Sequence, residues 1–157
     1  MSAPEKERRY STFEDLDVYQ AARGFRKHMY RVARQLPDVE KFALANQIRR
    51  AGVSLTNNIV EGHGRYHYLE QMKFVRQARG SLQELIDDLH VCADEQYLPA
   101  EEIAPLKQES WRIRQLIDGY IRYLRSQKNS MGAASVREAS PTEHNVEELD
   151  DDARVSI

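Results

Sequence analysis

From about residue 13 to residue 127, apolar side chains return every three or four positions, and few residues in between could break a helix. At about 100° per residue, such spacing gathers them on one side of each helix, a stripe that must find something to pack on. Thr12-Phe13-Glu14-Asp15 has the spacing of a capping box, and Pro37 removes a helical donor, so a first helix is expected over 13–36. Its stripe is Val18, Ala22, Phe25, Met29, Val32, Ala33 and Leu36. A second helix begins after Pro37-Asp38 and ends at Gly62 or Gly64, with Leu44, Ile48, Ala51, Leu55 and Ile59 inward. A third, over 67–96, gathers Met72, Val75, Ala78, Leu82, Leu85, Ile86, Leu89 and Ala93, and a fourth, over 100–127, gathers Ile103, Leu106, Ile113, Ile117, Tyr120 and Leu124. Four such helices with short connections pack most simply as an all-α, antiparallel up-down four-helix bundle over 13–128, preceded by a flexible N-terminus over 1–12. Three of the five prolines, Pro37, Pro99 and Pro105, fall near the expected boundaries. Strand-like alternation and internal repeats are missing, and 157 residues leave room for one core.

Charge divides the chain unevenly. The formal net charge is −2, yet residues 1–128 hold 21 Lys+Arg against 18 Asp+Glu, and residues 129–157 hold 2 against 7. The latter stretch has few large apolar residues and no sustained period, so a disordered acidic tail is expected over 129–157. Its sign suggests that it competes with phosphates for the basic body. The single cysteine, Cys92, rules out a disulfide within the chain, and MSAPEKERRYSTF contains no apolar run of the kind that directs secretion, so a cytoplasmic location is expected. Nor is any apolar run near the ~20 residues that span a bilayer, so no membrane is expected as a partner.

The second helix has two further faces. Phe42, Val53 and Val60 form an apolar set about 140° from its core stripe, which points to burial on two sides and so to a homo-oligomer joined through this helix. Gln47, Arg50, Ser54, Asn58 and Glu61 follow one another at spacings of three and four along one flank. This polar stripe suits a hydrogen-bonded network that fixes helix register or subunit contacts, with a recognition site as the alternative.

The segment from Gln47 through Gly62, QIRRAGVSLTNNIVEG, resembles the signature of the 23S rRNA intervening-sequence protein family, also called "four helix bundle protein". Phe13-Glu14-Asp15-Leu16-Asp17-Val18-Tyr19 is similar to that family's opening, Leu36-Pro37-Asp38-Val39-Glu40 to its first turn, and Ala78-Arg79-Gly80-Ser81-Leu82-Gln83-Glu84-Leu85 to its third-helix motif. Together these cover about residues 13–125. The resemblance implies a left-handed bundle assembled as a ring, commonly a homopentamer, without enzymatic activity. It also implies kinship with the accessory variability determinants of diversity-generating retroelements, which work with a reverse transcriptase. The chain departs from the pattern at Gly52, where alanine is frequent, at Thr56, where proline is frequent, and in its acidic tail.

Function is then a matter of surfaces. Arg23, Arg26, Lys27, Arg31 and Arg34 lie on the outer side of the first helix with Tyr19 and Tyr30 among them, and no acid intervenes between Asp17 and Asp38. Cations in such a row suit phosphates, and tyrosines can stack on unpaired bases, so RNA or DNA is the expected partner, or an enzyme acting on it. The competing reading is a solvated face neutralised by acids of neighbouring helices. Weaker basic sets are Lys73, Arg76 and Arg79 on the third helix and Arg112, Arg114, Arg122 and Arg125, near Trp111, on the fourth. His63 and His67, with Glu61 and Glu70, lack an HExxH arrangement and straddle the expected turn at Gly64; Asp87 with His90 is one Asp variant of the paired Glu-x-x-His that a di-iron bundle needs. Cys92 sits at the edge of the third helix's stripe and reads as packing. Neither a phosphate loop nor a nucleophile elbow is present, so no catalytic residue, metal or cofactor is expected, and a protein-interaction scaffold without nucleic acid stands as the alternative function.

Overall fold

The computed structural model describes residues 12–138 and contains four helices: α1 (Asp17–Gln35), α2 (Leu44–His63), α3 (Tyr68–Asp94) and α4 (Ala100–Glu138). Each packs on the next in chain order, and α1 closes against α4, which makes a four-helix bundle. Short turns join the helices, so consecutive ones run antiparallel.

The apolar stripes meet in one core. Phe25, Met29, Ile48, Leu55, Ile59, Leu82, Leu85, Leu89, Ile113, Ile117 and Leu124 are its large fully buried side chains. Every expected core residue of α1 and α2 is buried. On α3, Ala93 faces solvent and Cys92 takes its place; on α4, Leu106 and Tyr120 are half-buried and Ile121 is buried. The slip is one of phase: a helix gains about 20° per seven residues on a strict heptad, so inward positions drift by the end of a long helix.

Helix starts differ from expectation because short 3-10 turns come first. The sequence Thr12-Phe13-Glu14-Asp15 does form a reciprocal cap, in which the Thr12 N–H donates to Asp15 Oδ2 at 3.1 Å, but it caps a turn over Phe13–Asp15. The helix proper opens at Asp17. Likewise a 3-10 turn over Asp38–Glu40 precedes α2, and Glu40 Oε2 accepts the N–H of Leu44 at 3.0 Å, satisfying one donor of the new helix. Phe42 lies in this connection and not on α2, which corrects its assignment to a second stripe of that helix.

The fourth helix differs most. Pro105 is inside it, and α4 continues to Glu138, past residue 127 where the helix was expected to end. Residues 129–138 of the expected disordered tail are therefore helical; the rest of that tail and the expected flexible residues 1–11 lie outside the described residues.

At the other end of α2 the backbones come close. A Cβ on Gly62 would lie 3.1 Å from the backbone oxygen of Gln71 and 3.2 Å from Phe74 Cβ, neither of which can swing away as a flexible side-chain tip can. Glycine lets α2 approach the start of α3 here. Gly62→Ala is expected to lower stability by about 1 kcal/mol, since overpacking of roughly 1–3 kcal/mol outweighs the helix-propensity gain of up to ~1 kcal/mol. The urea midpoint measures this; an unchanged or higher midpoint would contradict it. At the end of α3, Gln96 adopts φ 57°, and the Tyr97 and Gln96 amides donate to the carbonyls of Cys92 and Ala93 at 2.9 and 3.1 Å, closing the helix in a Schellman turn without glycine.

Candidate nucleic-acid interface

Arg23, Lys27, Arg31 and Arg34 are exposed along α1, and none joins an ion pair among the described residues. Three acids of α2 and α4 are engaged elsewhere, while Glu14 and Asp15 border one depression with Arg23. Glu109 pairs with His28 at 2.8 Å, Glu61 with Arg65, and Asp118 takes Arg79 and Arg114 at 3.0 and 3.1 Å. Burial opposes ionisation of Asp118, but hydrogen bonds and charge from Arg79 and Arg114 outweigh it and hold the carboxyl below the usual aspartate range. The weaker basic sets of α3 and α4 are thus partly neutralised, whereas no member of the α1 row is ion-paired among the described residues.

Lys27, Arg31 and Arg34 line an open depression of about 430 Å³ with Arg26, Tyr30 and Val53. Tyr30 and Val53 also border the next depression, where Arg49, Arg50, Asn57 and Asn58 of α2 continue the surface. The half-buried ring of Tyr30 therefore stands at the junction of two cation-lined hollows. Tyr19 is engaged otherwise: it stacks edge-on against Phe13 with centroids 5.0 Å apart and packs against the core.

Arg26 is drawn away from the row. Its Cγ lies 3.2 Å from where a Cβ of residue 52 would sit, and its Nη1 donates to Thr56 Oγ1 at 2.7 Å. Thr56 is 1% exposed, and its own hydroxyl donates to the Val53 carbonyl at 3.2 Å. Gly52 and Thr56, the two departures from the helix 2 pattern, are therefore the two residues that accommodate Arg26: one leaves room for its stem and the other accepts its bond. Its contribution is to hold α1 on α2.

The polar stripe of α2 separates into three parts. Ser54 Oγ and Ser81 Oγ share a hydrogen bond of 2.8 Å, and Asn58 Nδ2 donates to the Ser54 carbonyl and hydroxyl at 2.9 and 3.1 Å, fixing α2 against α3. Glu61 faces Arg65 at the helix end. Gln47 and Arg50 instead border a groove of about 550 Å³ between α2 and α3, whose far wall is Glu84, Asp87 and Asp88. Sequence reasoning missed these acids, although one signal was legible: Asp88 falls in step with Leu85 and Cys92 on the inward face of α3. Burial, with the charges of Asp87 and Glu84, pushes the Asp88 carboxyl up to about 6. Burial, then Asp88 and Glu40, push the neighbouring Cys92 thiol up to about 11, which leaves it a packing residue at neutral pH.

Of the apolar candidates, Phe42 is 86% exposed beside Val39 in the α1–α2 connection, Val53 is 37% exposed in the basic hollows, and Val60 is half-buried near Phe13. His63 closes α2 and His67 precedes α3; no group of three His, Cys, Asp or Glu among the described residues is placed to share a metal ion. No helix among them is long and apolar enough to cross a membrane.

Known proteins agree with this architecture. No curated protein matches the chain significantly. The crystal structure of a protein of unknown function from the S23 ribosomal protein family of Bacteroides thetaiotaomicron superimposes with a TM-score of 0.62 at 21% identity, over 66% of this chain and 97% of that one, and so has the same fold. A sequence profile of the 23S rRNA-intervening sequence proteins matches residues 14–119, which span α1 to α3, the first half of α4, and both the basic row and the polar stripe. The chain therefore belongs to the 23S rRNA-intervening sequence protein family.

Proposed function

We propose that this protein is a non-catalytic nucleic-acid-binding bundle that grips single-stranded RNA or DNA through α1. The observation that carries the reading is the row Arg23, Lys27, Arg31 and Arg34: four exposed cations, unpaired among the described residues, of which Lys27, Arg31 and Arg34 border a hollow that meets a second one at Tyr30. Phosphates would lie along the row, and a base would stack at the tyrosine edge. The family's name, which ties it to an intervening sequence of 23S rRNA, favours RNA over DNA. A homo-oligomer, a pentamer by resemblance, would repeat the row around its circumference, and Phe42, Val53 and Val60 are the apolar residues proposed to join its subunits. A nucleic-acid enzyme such as a reverse transcriptase is a proposed further partner, and the cytoplasm the proposed compartment.

The test is a salt titration. With four phosphates neutralised per subunit, log K for a single strand should fall against log salt with a slope of about −3. A flat dependence would refute phosphate contact. The scaffold reading draws on Val39 and Phe42, 79% and 86% exposed in one connection. It requires a protein partner that survives high salt and is released by Phe42→Ser.

A further inference from the structure

The groove between α2 and α3 has a composition that packing does not account for. Asp88 is only 8% exposed, and among the described residues it makes no hydrogen bond and joins no ion pair. What access its carboxylate keeps is to the groove that it lines. A carboxylate on a residue this far buried, open to the groove and without a partner among the described residues, is an unfavourable thing for a bundle to hold, and hydrophobic residues of the same size would serve the core better. Two more acids, Glu84 and Asp87, border the same groove from one turn of α3, and the only cation on its walls is Arg50 across from them, which pairs with none of the three.

The shape of the missing partner follows from the donor count. Glu84, Asp87 and Asp88 stand at i, i+3 and i+4, a spacing that makes side chains neighbours about 5–6 Å apart at Cβ and sets several acceptors along one side of the groove. The carboxylates do not converge as metal ligands among the described residues. A planar cation with several N–H donors and no acceptor matches acceptors spread in this way, and its two-pronged edge suits a carboxylate. Around the acids the remaining groups are neutral: the Gln47 amide, and the hydroxyls of Ser54 and Ser81, which already bond each other at 2.8 Å.

The geometry points to the α2–α3 groove as a guanidinium site, in which Asp88 takes one edge of the cation and Glu84 or Asp87 another. The cation is supplied by a small free guanidinium compound or by an arginine of a second copy of this chain, whose α1 carries unpaired Arg23, Arg31 and Arg34. The chemistry is the same in both cases. Its acids take no part in the nucleic-acid reading, although Arg50 and Ser54 border both this groove and the second basic hollow.

Agmatine and 1,4-diaminobutane, matched cations with and without the guanidinium fork, are titrated into the full chain at low salt by calorimetry and NMR. Sedimentation over a range of protein concentrations is recorded for the same samples. Either saturable one-to-one agmatine binding at least tenfold tighter than the diamine, or self-association that agmatine disperses, is the supporting result. Asp88→Asn must abolish it in both cases, and the exposed pair Glu84→Gln with Asp87→Asn must weaken it. If Arg31→Glu with Arg34→Glu also abolishes self-association, the source is the second copy; if it leaves agmatine binding intact in a chain that does not associate, the source is free. Failure of both, or an undiminished response in Asp88→Asn, overturns the site. Asp88→Asn retains nucleic-acid affinity within about twofold if the α1 reading holds, so one proposal can fail without the other.

Discussion

The quadruple variant Arg23→Glu, Lys27→Glu, Arg31→Glu, Arg34→Glu is expected to bind single-stranded nucleic acid at least ~100-fold more weakly at ~0.1 M salt, with its fold intact. All four side chains are exposed, and none makes an ion pair that the change would break among the described residues. Glutamate forms helices about as well as arginine or lysine, so the local structure of α1 has no reason to yield. The one unfavourable position is 34, in the last turn, where a negative charge opposes the helix dipole by about 0.3–1 kcal/mol. Arg26 is left alone because its bond to Thr56 serves the packing of α1 on α2. A circular-dichroism melt within a few degrees of the parent, together with the lost binding, would separate an electrostatic contact from unfolding. Unchanged binding of both RNA and DNA would end the nucleic-acid reading.

The bundle was legible in the sequence because burial is periodic: the stripes of α1 and α2 are all inside, from Val18 to Ile59. What periodicity does not encode is where hydrogen bonding changes type. Thr12 and Asp15 signal an N-terminus truthfully, yet the first turn they cap is a 3-10 turn, and the helix begins after Leu16. The length of α4 was hidden for a related reason, because a helix that runs past the last core contact at Leu124 has only its own propensity to declare it. Polar partners are harder still. Nothing along the chain says that Arg26 would cross to Thr56, or that Ser81 would meet Ser54, since pairs 30 and 27 residues apart are joined by the tertiary fold alone. The acidic wall was missed for another reason: Asp87 stands out only with His90 and Glu84 only as part of a motif, and nothing along the chain joins them to Asp88 until α2 packs on α3.

That burial has a thermodynamic signature. The folded bundle holds the Asp88 carboxyl at about 6, against an ordinary value of 3.8, because burial and the charges of Asp87 and Glu84 disfavour ionisation. Folding thus favours the protonated form. The associated stability is fully present below pH 3.8, is lost as the pH rises through about 6, and stays lost above it. At roughly 1.4 kcal/mol per unit, reduced for the groove's opening to water, Asp88 costs the unliganded protein on the order of 2 kcal/mol at neutral pH. Asp88→Asn is therefore expected to be the more stable protein by about that amount at pH 7 and no more stable at pH 4. Other groups that titrate, such as Asp118 with its lowered value, act on both proteins alike and cancel in the comparison. The groups facing Asp88 are Glu84 and Asp87 on its own helix, the Cys92 thiol one turn on, and Gln47 and Arg50 across the groove on α2. Only the last bears a positive charge, and it pairs with none of the acids. Urea midpoints of the two proteins at pH 4, 5, 6 and 7 trace the difference directly. A gap that fails to open between pH 4 and pH 7 would mean that the carboxylate is already satisfied in the free chain. A gap that opens and then closes on adding agmatine would mean that the bundle gives up stability to keep a charge ready for its ligand.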